Sequence, residues 1–453
     1  VDLTAAIGLF SQLNLANLES RSLSGVLEKE LEVSAAEPVA NFDPTALGPQ
    51  RISQRTLTFE DAARQRVIPV EIYWSEADRA DSSDSPLVVL SHGFGADRYF
   101  LHYLAEHLAS YGLTVASVEH PGSNVAALID LPIDPDLAES PSSLLPATEF
   151  LDRPRDVSFV LDRLTELNQG EIYSGIFNTD EVTLIGHSLG GYTGLALAGA
   201  QLDVRSLQSF CENIQPLGIS PADWLQCAAV DLPEQTADLS DGRIRQVLAM
   251  NPLTGRLFGE AGLSAVTAPT LILSGTQDGV TPTLDQQLAP FDQLAGTKYL
   301  LAVIGGTHLS VGDPNNVNPA LTELPFMSEL PGEETAGLRE MLKGVALSFV
   351  AQRSPQAERY KAFLSAGYVQ SFSTPTLPLR FTEDLPGSVR SWLAMTLRLS
   401  ANAHASVGDT LLSLSYLKAI ANRQQWQTAI AVHLQAAQVV TVLRSPLPFI
   451  TGR

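Results

Sequence analysis

Glu181-Val-Thr-Leu-Ile-Gly-His-Ser-Leu-Gly-Gly-Tyr-Thr-Gly194 is the stretch on which the reading of this chain turns. Val182 to Ile185 is a short apolar run that reads as a buried strand. The small-residue run Gly194-Leu-Ala-Leu-Ala-Gly-Ala200 reads as a helix. Between them stands Gly186-His-Ser-Leu-Gly190, and G-x-S-x-G between a strand and a helix is the pattern of a nucleophile elbow. Glycine at the flanking positions lets the backbone turn tightly, since a Cβ there would strike the neighbouring strand or helix. Ser188 then projects above the carboxyl edge of a sheet, beside the first N–H groups of the helix. Glycine and serine are common, so the motif alone fits an ordinary strand-to-helix turn as well. What surrounds it decides.

Upstream, Ser53 to Phe59 and Arg66 to Trp74 alternate and are rich in β-branched residues, which predicts an antiparallel pair at a sheet edge. After the Asp/Ser loop Asp78–Ser85, the pattern changes to strand alternating with helix, which implies a mostly parallel sheet. Pro86 to Leu90 is a buried strand, Tyr99 to Tyr111 a helix, Leu113 to Val118 a strand, and Phe150 to Leu167 a helix. Downstream come strands at Ile244–Met250, Thr270–Ser274 and Lys298–Ile304, with a helix over Leu284–Leu294. Helices are expected at Glu333–Gln352, Glu358–Val369, Ser388–Leu399 and Gln424–Leu443. The fold class is therefore α/β, a mostly parallel sheet flanked by helices. Its expected parts are an N-terminal helical arm (residues 1–50), a core (51–200 and 244–312), a lid insertion (201–243), a helical completion of the core (313–374) and a helical C-terminal extension (375–453).

Hydrolysis of an ester by serine needs a base for the hydroxyl proton, an acid to orient that base, and N–H donors for the tetrahedral oxyanion. On an elbow-bearing sheet these follow in the order Ser, acid, His. The strand ending at Ser274 runs into Gly275-Thr-Gln-Asp278, and the last strand runs into Gly305-Gly-Thr-His308. Asp278 and His308 thus leave the carboxyl ends of two successive strands after Ser188, at the edge where open parallel sheets place their sites. Asp285 and Asp292 are rivals but fall within a helix. His187 points into the elbow's packing, His92 and His120 precede the serine, His102 and His107 lie on a helix, and His404 and His433 lie in the extension. The oxyanion donors are expected to be the N–H groups of Leu189 and of Phe94, which lies in the loop Ser91-His-Gly-Phe-Gly-Ala-Asp97. Phe94, Gly95 and Trp224 are the expected substrate contacts, Trp224 through an apolar lid that also carries Leu207, Phe210 and Leu217.

Leu90-Ser-His-Gly-Phe-Gly-Ala-Asp-Arg98, Leu108-Ala-Ser-Tyr-Gly-Leu-Thr-Val-Ala-Ser-Val-Glu-His-Pro-Gly122 and Ile185-Gly-His-Ser-Leu-Gly-Gly191 resemble the platelet-activating-factor acetylhydrolase-like branch of the α/β-hydrolases. That branch lies near the dienelactone hydrolases and the cutinase-type polyester hydrolases, and the resemblance covers residues 50–310. It implies a bacterial serine carboxylesterase or lipase that works through an acyl-enzyme and needs no metal or other cofactor. One departure matters. In the plasma-type acetylhydrolases the acid follows the strand immediately after the elbow helix, and here that place holds Met250-Asn251-Pro252. Asp278, after the following strand, matches the cutinase and dienelactone arrangement. A weaker likeness of the insertion and extension is to cyanobacterial hydrolases, among which chlorophyllase-like esterases occur.

Composition bounds the partners. The 453 residues carry a formal net charge of −22, which repels nucleic acid and disfavours attraction to an anionic membrane. A small or lipid-like ester is the expected partner, with peripheral membrane contact through the extension as a further reading. No run of about 18 apolar residues is present to span a bilayer. No Cys/His cluster has zinc-site spacing. The two cysteines, Cys211 and Cys227, are either free thiols or one local disulfide, and their even count and short spacing favour the disulfide. A disulfide favours a secreted or periplasmic location over the cytoplasm. No signal peptide is visible, and because the chain starts at Val1 a removed preceding segment is expected.

Overall fold

A computed structural model describes residues 15–31, 33, 42–76, 85–129, 145–212, 220–259, 261–318 and 329–405. The helix expected at Gln424–Leu443, and with it any membrane contact of the far extension, lies outside the described residues, as does nearly all of the loop Asp78–Ser85. Helix α1 (Leu15–Glu30) precedes the hairpin β1 (Ile52–Asp61) and β2 (Arg66–Ser75). Then follow β3 (Leu87–Ser91), α2 (His102–Ser110), β4 (Val115–Val118), α3 (Glu149–Asn168), β5 (Val182–His187) and α4 (Leu189–Leu197). The insertion carries α5 (Arg205–Glu212) and α6 (Pro221–Cys227). The chain returns through β6 (Ile244–Met250), β7 (Thr270–Gly275) and β8 (Lys298–Val303), then α7 (Ala336–Ala351), β9 (Leu379–Thr382) and α8 (Gly387–Ala405).

One nine-stranded sheet runs β1-β2-β4-β3-β5-β6-β7-β8-β9. β4, β3, β5, β6, β7 and β8 pair in parallel, while β1–β2, β2–β4 and β8–β9 are antiparallel. The central strands are near-continuous apolar runs because both of their faces are buried. Leu87 and Val89 of β3 join one core cluster, and Val88 and Leu90 join the other. The first cluster takes in α3, α4 and the buried ends of α1 and α8; the second takes in α2 and α7. Leu338, Met341, Leu342, Val345 and Phe349 form the buried stripe of α7 at helical spacing. After β3 the chain crosses to β4 on one side and then to β5 on the other. This switch opens a crevice at the carboxyl ends of β3 and β5.

Two features depart from expectation. Leu379-Arg-Phe-Thr382 is a strand of the main sheet, in register with Val303–Leu300 of β8, so residues 375–453 are not wholly a helical extension. Four residues after Pro378 carry too little alternation to announce a strand; the ladder of β8 supplies the reason for it. Glu358–Val369 is not one helix but two short ones, Ala357–Tyr360 and Ala366–Gln370. Ser365 adopts an extended backbone between them, and its hydroxyl accepts the Tyr368 amide as a cap. The insertion is also well packed. Leu202, Leu207, Ala222 and Leu225 join the first core cluster, and a Cys211–Cys227 disulfide staples α5 to α6.

The elbow helix rests on α3 through one repaired defect. Pro154 lies inside α3, so the carbonyl of Phe150, four residues earlier, has no helical N–H to accept. The buried hydroxyl of Tyr192 on α4 donates to that carbonyl at 2.7 Å. Tyr192→Phe is therefore expected to cost about 1–2 kcal/mol of unfolding free energy. In a Pro154→Ala background, where a backbone N–H serves Phe150, the same change is expected to cost less, and denaturant melts of the four-member cycle measure the difference.

Candidate active site

Three strand ends and one loop build the site. At the end of β5 the chain reverses into α4, and the turn falls on Ser188, whose φ of 54° and ψ of −118° are strained for a residue with a side chain. The reversal works because its flanks have none. A Cβ on Gly186 would stand 2.1 Å from the Gly190 carbonyl oxygen, and one on Gly190 would stand 1.9 Å from the carbonyl oxygen of Ser91. Backbone bonds hold the turn: Ser188 N–H donates to Met250 O at 2.9 Å, and Ser188 O accepts the amides of Gly191 and Leu253.

Beyond β7, the amide of Asp278 bonds back to the Gly275 carbonyl, which closes a tight turn. Asp278 is buried and its carboxylate is fully engaged. Oδ1 accepts the amides of Val280 and Thr281 at 2.8 Å each, and Oδ2 lies 2.8 Å from Thr281 Oγ1 and 2.7 Å from His308 Nδ1. A carboxylate accepts only, so the His308 proton sits on Nδ1 and Nε2 keeps its lone pair. Burial pushes the His308 pKa down, but the Asp278 carboxylate, its hydrogen bond and the nearby Glu329 outweigh this and raise it above the ordinary imidazole value. Glu329 is anchored there by the Leu309 amide at 2.9 Å, and sequence reasoning missed it; no motif distinguishes it from other glutamates.

Asn251 and His187 lock the backbone of His308. Asn251 is wholly buried at the end of β6 with φ 44°, a left-handed conformation that asparagine tolerates. Its Nδ2 donates to the carbonyls of Thr307 (3.3 Å) and His308 (3.1 Å), and its Oδ1 accepts the Gly275 amide at 2.8 Å. It therefore joins the ends of β6, β7 and β8. His187 is directed into the elbow's packing: Nε2 donates to the His308 carbonyl at 2.9 Å, and its ring lies 4.6 Å from the rings of both Phe100 and His308. Burial, then the neighbouring His308 imidazole, hold His187 neutral.

The loop after β3 lies against the elbow. A Cβ on Gly93 would stand 3.0 Å from Ser188 Cβ. Phe94 is half-buried against the core, and neither its N–H nor that of Leu189 meets a backbone acceptor among the described residues. Gly95, at φ 71°, donates to the Ser123 carbonyl. On α6, Trp224 is half-buried, and two residues before it the Ala222 amide donates to Val280 O, beside the Asp278 turn. The structure thus brings Ser188, His308, Asp278, Phe94 and Leu189 to one sheet edge, with the helix of Trp224 packed behind the acid.

Among the described residues no helix is long and apolar enough to cross a membrane, and no group of three His, Cys, Asp or Glu is placed to hold a metal ion. Among curated proteins, none matches the chain. The family model described as the alpha/beta hydrolase family matches residues 88–320, just over half of the chain. That span runs from β3 through the elbow to His308, and by this match the chain belongs to the alpha/beta hydrolase family.

Proposed function

We propose that the protein is a serine hydrolase of carboxylic esters, of carboxylesterase or lipase type, with Ser188 as nucleophile, His308 as base and Asp278 as the acid. The observation that carries this reading is the 2.7 Å Asp278–His308 bond, which leaves His308 Nε2 unprotonated at the same sheet edge as a serine held in a strained turn. Ser188 Oγ attacks the ester carbonyl while His308 Nε2 takes its proton. The N–H groups of Phe94 and Leu189 receive the developing oxyanion. Collapse breaks the bond to the alcohol, which leaves with the proton from His308. Water, deprotonated by the same Nε2, then releases the acid from the acyl-enzyme. Each step uses side chains or backbone groups of this chain.

Within the family, the acid after β7 supports a cutinase- or dienelactone-like branch. At the other acid position Asn251 is committed to backbone carbonyls and an amide, which argues against the phospholipid acetylhydrolase reading. Phospholipids, polyesters and the phytyl ester of chlorophyll are the remaining substrates to set beside simple acyl esters in a chain-length panel. Residues 201–243 act in this reading as the wall or cover of the acyl site, with Phe94, Gly95 and Trp224 as contacts. An oxidising compartment, secreted or periplasmic, is part of the proposal and is supported by the Cys211–Cys227 bridge.

Ser188→Ala is expected to lower hydrolysis of p-nitrophenyl acyl esters about a millionfold and to end labelling by a fluorophosphonate probe. Wild-type turnover in that variant would sink the assignment, and a wild-type chain that takes no label would favour a binding protein on a hydrolase fold. The base must be neutral to act, so kcat/KM should rise with pH along one limb whose midpoint lies above about 6.5, the ordinary imidazole value. Asp278→Asn should cut kcat by about ten-thousandfold and bring that limb to lower pH. Denatured, unreduced protein should titrate no free thiol; two thiols would contradict the disulfide.

A further inference from the structure

Two histidines, His92 and His120, are buried beside the loop that carries Phe94 and stand outside the Ser188–His308–Asp278 set. His120 Nδ1 lies 3.0 Å from Asp156 Oδ2. The carboxylate can only accept, so Nδ1 bears the proton and Nε2 is an acceptor. Ser91 Oγ, 3.0 Å from that Nε2, is then the donor, and it faces Arg153 Nη2 at 3.3 Å with its own lone pair. The backbone N–H of His120 donates to His92 Nε2 at 3.0 Å, which leaves the proton of His92 on Nδ1. That Nδ1 lies 2.7 Å from the carbonyl oxygen of Gly93, which requires the same tautomer independently. Burial first, then the charge of Arg153, keep both rings neutral. Asp156 is itself gripped by Arg64 and Arg66, at 2.8 Å each, from the β1–β2 hairpin.

The consequence falls on one peptide unit. In a trans peptide the C=O and the following N–H point in opposite directions. The Gly93 carbonyl is turned inward, towards His92 Nδ1 and the Ala96 amide (3.3 Å), so the Phe94 N–H is turned the other way. The preceding peptide is pinned too, since Arg153 donates to the His92 carbonyl. We propose that His92, oriented by His120 and Asp156, is a positioning residue that aims the Phe94 N–H at the oxyanion. The chain thus holds two histidine–acid pairs, one set for proton transfer at His308 and one buried pair that fixes a backbone donor. This inference rests on the serine-hydrolase reading.

Two isosteres separate positioning from mere support. His92→Asn sets an amide nitrogen near the Nδ1 position and keeps a donor for Gly93, whereas His92→Gln reaches the Nε2 position and loses that donor. His92→Gln should lower kcat for a p-nitrophenyl ester about tenfold to hundredfold with KM nearly unchanged, because an oxyanion interaction is made chiefly in the transition state. It should weaken phenylboronic acid, whose adduct with Ser188 is tetrahedral, by the same factor. His92→Asn should stay within about threefold of wild type in both readouts. Wild-type kcat in His92→Gln, or equal losses in both variants that follow their melting temperatures, overturns the proposal. Wild-type turnover in Ser188→Ala overturns the hydrolase reading instead, whatever the His92 variants do. If the variants do not fold, imidazole 15N shifts of the wild-type protein decide: Nδ1–H on both His92 and His120 is required, and Nε2–H on His92 overturns the proposal.

Discussion

The contact between Gly190 and the Ser91 carbonyl is the constraint on which the site depends. At 1.9 Å from that oxygen there is no room for a Cβ, so the first turn of α4 and the end of β3 lie as close as backbones can. This closeness sets Ser188 and the loop that carries Phe94 side by side. The strained φ of Ser188 is held because the turn is over-determined: Gly186 and Gly190 clear the space, and Met250, Gly191 and Leu253 supply its hydrogen bonds.

A second level of order comes from groups outside the proposed Ser188–His308–Asp278 set. Asn251 fastens β6, β7 and β8 together by their carboxyl ends, so the Asp278 and His308 turns share one reference frame. His187 adds a further donor to the carbonyl of His308. On the other side of Ser188, Arg153, His92 and Ser123 tie down the loop that follows β3. The cluster of Arg64, Arg66 and Arg153 with Glu149 and Asp156 is largely buried, where ion pairs contribute little net stability but where losing one partner strands a charge. Its position suits orientation better than stabilisation.

Electrostatics divide the histidines by neighbourhood. His308 keeps a raised pKa because a carboxylate, and then Glu329, outweigh its burial. His92, His120 and His187 are equally deep but have cationic or imidazole neighbours, and they stay neutral. A single residue type thus supplies the proposed proton acceptor and several fixed hydrogen-bond partners, according to the charges around it.

The order of Ser188, Asp278 and His308, each at the end of an apolar run, was legible in the chain because parallel strands buried on both faces read as such runs and their turns follow directly. The α/β class was legible for the same local reason, and the Cys211–Cys227 pair through the even count and short spacing of the cysteines. The strand Leu379–Thr382 was not, since four residues acquire strand geometry only from the ladder of β8. Nor were the partnerships of Asn251, Glu329, His92 and Asp156. They join residues up to 92 positions apart, as between Arg64 and Asp156, and leave no period or motif behind. Sequence alone determined which residues stand at the carboxyl edge, because local patterning fixes where strands end. Only the tertiary structure decided which of them face one another and where each imidazole proton lies, because hydrogen-bond direction depends on partners that the fold brings together.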